Sequence, residues 1–358
     1  MKPLSFAPGL VEGFYGRQWR DADRLECLDF IASIGFRYYI HAPKGDACLR
    51  RRWSEPWAGD DERRMREIAE CCSRAGLLWG FGLSPLGLVE DGSAVALQRW
   101  RDKLRYLEDF GASLLCILFD DMPRRFDALA ERQAELVAVA LETSRATHAI
   151  VCPSYYSSDP VLERVFGAMP QRYWEDLGRL LPQQLGIFWT GERVCAEAQP
   201  IDALQAIAAT LGRAPVLWDN YPVNDGEKGS QFLRIDAFRG RSAQLADGIV
   251  AAHFVNPMNQ CRLSRIPLHT LAMLYAEKQS YVPDTAFLAA ARSSCGVALA
   301  DRLARDLHLL QHTGLEAMGA ARRHELMQRY ARFDSPCVHE LLDWLAGGYT
   351  FDPACLTG

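Results

Sequence analysis

Apolar residues in this chain gather into short dense runs, separated by longer amphipathic stretches, and the alternation occurs eight times. The runs are 9–15, 37–43, 77–85, 114–119, 148–153, 185–191, 215–220 and 248–257. Each is short and mostly apolar on successive residues, the pattern of a strand buried on both faces. Between the runs the polar and apolar residues recur at helical spacing, as at Leu25, Leu28 and Ile31 within 21–33. Further helices are expected over 60–74, 93–110, 125–147, most of 159–181, 201–211 and 263–278. Gly35, Gly76 and Gly111 follow three of them, where a residue able to turn left-handed ends a helix. Eight strand–helix units in about 280 residues predict an α/β fold, a (β/α)8 TIM barrel. An open doubly wound sheet would normally carry a glycine-rich phosphate turn after its first strand, and Gly13-Phe-Tyr-Gly16 lacks that spacing.

The pattern changes after Pro283. Helices are expected over 284–294, 297–315, 320–333 and 336–345 with no strands between them. Asp284 reads as a helix N-cap, and Ser335-Pro336 as an N-cap followed by proline at the first helical position. The expected organisation is therefore a barrel domain over 1–280 and a small helical region over 281–358. His308 and His312 lie one helical turn apart, and the absence of a third ligand nearby in sequence makes them a surface pair.

Composition narrows the class. The chain is 49% hydrophobic and 24% charged, ordinary for a soluble enzyme. A net charge of −5 gives no electrostatic footprint for nucleic acid. Arg50-Arg51-Arg52, the densest basic run, has acidic residues soon after it and reads as a solvated face. The 11 cysteines include no CxxC pair, so neither a zinc framework nor a disulfide scaffold is indicated. Their odd number, and an N-terminus without a long apolar stretch, lead us to expect a reducing, cytoplasmic setting. No run approaches the roughly 18 apolar residues of a membrane span.

The ends of the predicted strands carry the candidate chemistry. In a barrel of this kind the active site is built there. The fourth run, Leu114–Phe119, stops abruptly in Asp120-Asp121. Two adjacent carboxylates at the mouth of a buried strand repel one another, which disfavours ionising both and suits an acid–base pair. The alternative at this point is a pair that caps a helix or binds an arginine. Around them in sequence order stand Gly13 and Tyr15, Lys44 and Asp46, Tyr156, Trp189 and Thr190, Trp218, Asn220, Asp225 and Asn256. Aromatic walls with carboxylates, amides and a lysine suit a sugar, which offers apolar ring faces and directional hydroxyls. A metal hydrolase would want closely spaced histidines. His41, His148 and His253 lie on three different strands, so no metal and no cofactor are expected.

At these residues a family resemblance becomes visible. Val11-Glu-Gly-Phe-Tyr-Gly16, Ala42-Pro-Lys44, Leu118-Phe-Asp-Asp121, Trp189-Thr-Gly191, Trp218-Asp-Asn220 and Asn256-Pro257 resemble, in matching order, the motifs of glycoside hydrolase family 84, the O-GlcNAcases and related β-N-acetylglucosaminidases. The resemblance spans about residues 9–278. It implies a retaining exo-β-N-acetylglucosaminidase acting on a terminal β-GlcNAc of a glycoprotein or oligosaccharide. Catalysis would be substrate-assisted, through an oxazoline formed by the 2-acetamido group, a departure from the two-carboxylate glycosidase scheme. By similarity, Asp120 would hold the acetamido N–H, while Asp121 would act as general acid and then base. Tyr156 would donate to the acetamido oxygen; Thr190, Trp218 and Cys152 would line the acetyl pocket; Asn220 would help place the reacting centre. Gly13, Lys44, Asp225 and Asn256 would bind ring hydroxyls, with Tyr15 in the same wall. The chain departs from the family at Gly45, where an acidic residue is common, and at Tyr155, where another often precedes the pocket tyrosine. A non-catalytic GlcNAc-binding or sensing protein on the same barrel is the rival, and the feature that would favour it, loss of a catalytic carboxylate, is missing here.

Overall fold

The computed structural model describes residues 1–122 and 128–357. Among them, eight strands pair in sequence order, all parallel, and close on themselves. They are β1 (Pro8–Glu12), β2 (Tyr38–His41), β3 (Leu78–Leu83), β4 (Leu114–Leu118), β5 (His148–Cys152), β6 (Gly186–Trp189), β7 (Val216–Asp219) and β8 (Ala252–Val255). Closure comes from β1 against β8, with Gly9 opposite Phe254 and Leu10 opposite Val255. The barrel predicted from the apolar runs is therefore the observed fold, with the strands trimmed by one to a few residues at their ends.

Among the described residues, six of the seven strand-to-strand connections carry α-helices: α1 (Asp21–Ser33), α2 (Asp60–Ala75), α3 (Ala94–Glu108), α4 (Leu129–Thr143), the pair α5 (Val161–Phe166) and α6 (Tyr173–Leu180) between β5 and β6, and α7 (Ile201–Leu211), while the β7–β8 connection holds only short 3-10 turns. The α2 helix ends at Gly76, whose φ of 72° is the left-handed stop that its sequence announces. Ser93 caps α3 by accepting from the Ala96 N–H at 3.1 Å. The stretch 159–181 is two helices, because Gly167 (φ 96°) breaks it and Pro170 follows. The expected start of the fourth barrel helix at Arg125 falls outside the described residues.

After β8 comes α8 (Cys261–Glu277), and then α9 (Pro283–Cys295), α10 (Val297–His308), α11 (Leu315–Tyr330) and α12 (Pro336–Leu345). Asp284 is not the cap of α9: Val282 holds that position and Pro283 takes the first turn, where its missing N–H costs nothing. Ser335 does cap α12, accepting from the Cys337 N–H. The α11 stretch carries a kink at Gly319, where φ is 68° and ψ 167°. His308 and His312 are both exposed, with ring centroids 5.6 Å apart.

Two apolar cores result. The larger fills the barrel and the shell beneath the surrounding helices. The smaller joins Leu299, Leu303, Leu326, Tyr330 and Trp344 of the C-terminal helices to Leu233 and Ile235 of the β7–β8 connection and to Leu263 and Ile266 of α8. The C-terminal helices thus share their core with the segment that carries one wall of the barrel mouth. Trp344 Nε1 donates to the Ser230 carbonyl at 3.1 Å, which ties α12 directly to that connection.

Candidate active site

Asp120 and Asp121 follow β4 directly, at the C-terminal mouth of the barrel, and both are buried. Each stands in a different environment. Asp120 Oδ2 receives the Lys44 ammonium from the end of β2, both side chains being buried. Its other oxygen, Oδ1, is buried without a partner among the described residues, where it can accept from a ligand. Asp121 accepts from two phenols: Tyr15 donates to Oδ2 and Tyr156 to Oδ1, each at 2.9 Å. Burial, then the charge of Asp121, pushes both phenols well above their ordinary range, so they remain donors throughout the working pH range.

The backbone at Asp121 is itself unusual. Its φ is 51°, left-handed for a residue with a Cβ, a conformation that costs about 1–3 kcal/mol unless its surroundings hold it. Arg50 Nη2 donates to the Asp121 carbonyl at 2.8 Å, and the same guanidinium lies 5.7 Å from the Tyr15 ring. The expectation that the Arg50–Arg52 run is a solvated face therefore fails at Arg50. A single 3-10 turn at Ala47–Leu49, capped by Asp46, turns Arg50 inward and leaves Arg51 and Arg52 exposed.

The opposite wall is an interlocked set from β7 and β8. Asn220 Oδ1 accepts from Trp218 Nε1 and from Asn256 Nδ2, each at 3.0 Å, while Asn220 Nδ2 donates to the Val194 carbonyl at 2.8 Å. Asn256 Oδ1 in turn accepts from the Gly13 N–H at 3.2 Å. A Cβ on Gly13 would lie 2.5 Å from Trp218 Cζ2, so glycine is what lets the indole approach the chain just after β1 this closely. Asp225 Oδ2 accepts from the Tyr15 N–H at 2.6 Å, and burial pushes the Asp225 carboxyl up to about 6. Thr190 is held by the Tyr156 carbonyl through its N–H at 2.9 Å. Burial keeps the Cys152 thiol protonated, well above its ordinary range, so it is wall and not nucleophile.

Underneath, two buried ion clusters brace the strand ends without entering the pocket. Burial opposes ionisation of Asp219, yet Arg241 at 2.6 Å and His253 at 3.1 Å overcome it and hold the carboxyl well below its usual range. Burial likewise opposes ionisation of Glu12, and Arg24 at 2.8 Å, together with the Tyr39 hydroxyl, reverses the balance.

One pocket gathers the twelve residues given site roles from sequence: Gly13, Tyr15, Lys44, Asp120, Asp121, Cys152, Tyr156, Thr190, Trp218, Asn220, Asp225 and Asn256. Asp46 and Trp189 stand behind it: Asp46 accepts from Trp57 Nε1 at 2.9 Å, and Trp189 packs edge-on to Trp174. Sequence reasoning missed Val194, Cys195 and Val223, which also line the pocket. It missed too that Cys355 and Thr357 of the C-terminal segment enter it, the Thr357 side chain hydrogen-bonding to Tyr156. With that segment in place the free volume is about 50 Å³. Among the described residues no group of three metal-ligating side chains converges.

Comparison with known proteins agrees with this geometry. The chain is 24% identical to the Protein O-GlcNAcases of Mus musculus and Rattus norvegicus over 286 residues, 77% of this chain and 31% of theirs. It therefore spans about a third of the length of those curated relatives. Its structure superposes on a mutant O-GlcNAc hydrolase of Thermobaculum terrenum with a TM-score of 0.78 at 26% identity, covering 95% of this chain and 80% of that one. The profile of a family described as beta-N-acetylglucosaminidase matches residues 8–308, most of the chain and all eight strands. The chain belongs to that beta-N-acetylglucosaminidase family, the glycoside hydrolases of family 84.

Proposed function

We propose that this protein is a retaining exo-β-N-acetylglucosaminidase that removes terminal β-linked GlcNAc by substrate-assisted catalysis. The observation that carries the reading is the unequal environment of two adjacent carboxylates. Among the described residues, Asp120 is paired with a lysine and keeps one oxygen free, whereas the Asp121 carboxylate accepts from two phenol hydroxyls. In this reading Asp120 Oδ1 accepts the acetamido N–H. The acetamido oxygen attacks the anomeric carbon as the glycosidic C–O bond breaks, and Asp121 gives its proton to the leaving oxygen. Water then attacks the oxazoline, Asp121 takes the proton back, and the anomeric configuration is retained. No protein nucleophile is needed, so both acids can sit on one strand end.

Tyr156 is the switch in this scheme. In the resting pocket it donates to Asp121 Oδ1. Turning to the acetamido oxygen, it would orient the nucleophile and leave Oδ1 free to carry the transferable proton. Gly13, Lys44, Asp225 and Asn256 bind the ring hydroxyls, Thr190, Trp218 and Cys152 enclose the acetyl group, and Asn220 places the reacting centre. The catalytic unit is residues 1–280, and the helices of 281–358 brace the β7–β8 wall. The odd number of cysteines, 11, fits a reducing, cytoplasmic setting, and no helix among the described residues is long and apolar enough to cross a membrane.

The test is turnover of an aryl β-GlcNAc. Asp120→Asn and Asp121→Asn should each lower kcat about 10²-fold or more, the scale of a lost acid–base or charge-stabilising group. Azide should restore Asp121→Ala on a good leaving group, and successive fluorination of the N-acetyl group should slow the wild type. A flat response to fluorination excludes participation by the acetamido group. Tight GlcNAc binding without turnover of any β-GlcNAc substrate would identify a binding protein instead.

A further inference from the structure

A second cavity, of about 530 Å³, adjoins the sugar pocket, and the two share Cys195 and Asn220. Three arginines, Arg234, Arg239 and Arg241, line it. Two of them are already neutralised. Arg241 bridges Asp219 at 2.6 Å, and Arg239 bridges Asp236 at 2.9 Å and also meets Asp284. Arg234 differs. Its Nε is buried with no hydrogen-bond partner, and among the described residues no carboxylate pairs with its guanidinium. Asp236, the buried acid of the cavity, already belongs to Arg239. A half-buried guanidinium left with an unfilled donor carries a standing desolvation cost that an arriving anion removes.

The backbone that carries Arg234 is firmly held. The Leu233 N–H donates to the Leu310 carbonyl at 2.9 Å, the Arg234 N–H meets Met258 Sδ at 3.3 Å, and the Asp236 N–H donates to Gln311 Oε1 at 3.2 Å. The segment after α10 thus helps fix the backbone that presents the cation to the cavity. Tyr221 and Phe232 add apolar surface to the same cavity.

We propose that this cavity is the leaving-group subsite and that Arg234 selects substrates whose aglycone carries a carboxylate. The inference rests on the proposed glycosidase reading, in which Asn220 stands at the reacting centre: a sugar seated in the first pocket sends its leaving group past Asn220 and Cys195 into the second. The planar guanidinium fork matches a carboxylate two-for-two, and a lysine in its place supplies charge without that match.

Paired substrates test the proposal in two arms. One arm compares β-GlcNAc-serine peptides flanked by glutamates with the same peptides flanked by glutamines. The other compares GlcNAc β-linked to glucuronic acid with GlcNAc β-linked to glucose. The wild type should favour the charged member of at least one pair about tenfold in kcat/KM, and the favoured arm identifies the source of the carboxylate. Arg234→Gln should abolish that preference while leaving 4-nitrophenyl β-GlcNAc turnover and Tm unchanged, since the side chain has no partner to lose. Arg234→Lys should keep only part of it, and 0.5 M NaCl should weaken it in the wild type. Equal kcat/KM within both pairs, or a preference that survives Arg234→Gln, overturns the subsite. Failure to hydrolyse the 4-nitrophenyl substrate overturns the glycosidase reading instead, so the two failures are distinct.

Discussion

Asp225 has its ionisation set by the pocket itself. Burial pushes its carboxyl up to about 6, and the Tyr15 N–H only partly opposes this. In the proposed complex it accepts a sugar hydroxyl best as a carboxylate, so kcat/KM for a neutral β-GlcNAc substrate should fall as pH drops through about 6. Asp225→Asn, uncharged at every pH, should show weak binding throughout and lose that limb. Stability runs the other way. A carboxyl with a raised folded-state value favours the fold below its unfolded value near 4, and that stability is lost as pH rises through about 6. Asp225→Asn should therefore be more stable than wild type at pH 7.5, by about 1–3 kcal/mol, and no more stable at pH 4. Thermal melts at the two pH values check this, and a variant equally stable at both would remove burial as the cause.

At this scale the site was largely legible. Most of its residues stand at or shortly after the ends of apolar runs, where a barrel places its site, so strand assignment located them and residue chemistry did the rest. Arg50 was not legible, because the inward turn at Ala47–Leu49 depends on Asp46 capping it and not on any property of three successive arginines. Tyr156 was assigned a ligand partner, and in the resting pocket it bonds Asp121, a contact between strand ends that spacing along the chain cannot reveal.

Among the elements, the β7–β8 pair depends most on buried charge. Asp219 ends β7 and is fully buried, with Arg241 and His253 on its carboxylate and the Tyr221 N–H donating to Oδ1 at 3.1 Å. Asp219→Asn would leave the Arg241 guanidinium, 2% exposed, without its counter-charge. The expected loss is about 3–5 kcal/mol, the scale of a broken buried pair. Because Asp219 is depressed in the fold, the stability it contributes is full above the usual carboxylate range and disappears only as pH falls below it. Wild type and Asp219→Asn should thus converge in denaturant midpoint only in strong acid, and a constant difference down to pH 2 would show that the charge is not what matters. The element boundaries that sequence misplaced have local causes of the same kind. Gly167 and Pro170 divide what the helical pattern joined, and Pro283 displaces Asp284 from the cap by occupying the first turn.

On the scale of the whole molecule, the most distant contact is the one with the largest consequence. The chain leaves α12, Tyr349 packs under the Arg17 guanidinium at 4.7 Å, and the segment beyond runs back to the barrel mouth, where Cys355 and Thr357 line the pocket. Nothing in the periodicity of residues 351–357 forecasts this, since the contact joins parts of the chain far apart in sequence and the segment forms no helix or strand. About 50 Å³ is left in the pocket, against roughly 300 Å³ or more in an ordinary ligand pocket, and the seated segment is part of that narrowing. If a sugar must displace the segment, substrate affinity is reduced by the fraction of molecules in which it is withdrawn. If it is seated in nine molecules of ten, removing residues 351–358 should lower KM about tenfold and leave kcat unchanged, because Tyr349 and the salt bridge from Arg17 to Asp343 stay in place. A synthetic peptide of residues 350–357 should inhibit the shortened enzyme competitively with the β-GlcNAc substrate. An unchanged KM on truncation, or inhibition that does not compete with substrate, would place the segment outside the catalytic cycle.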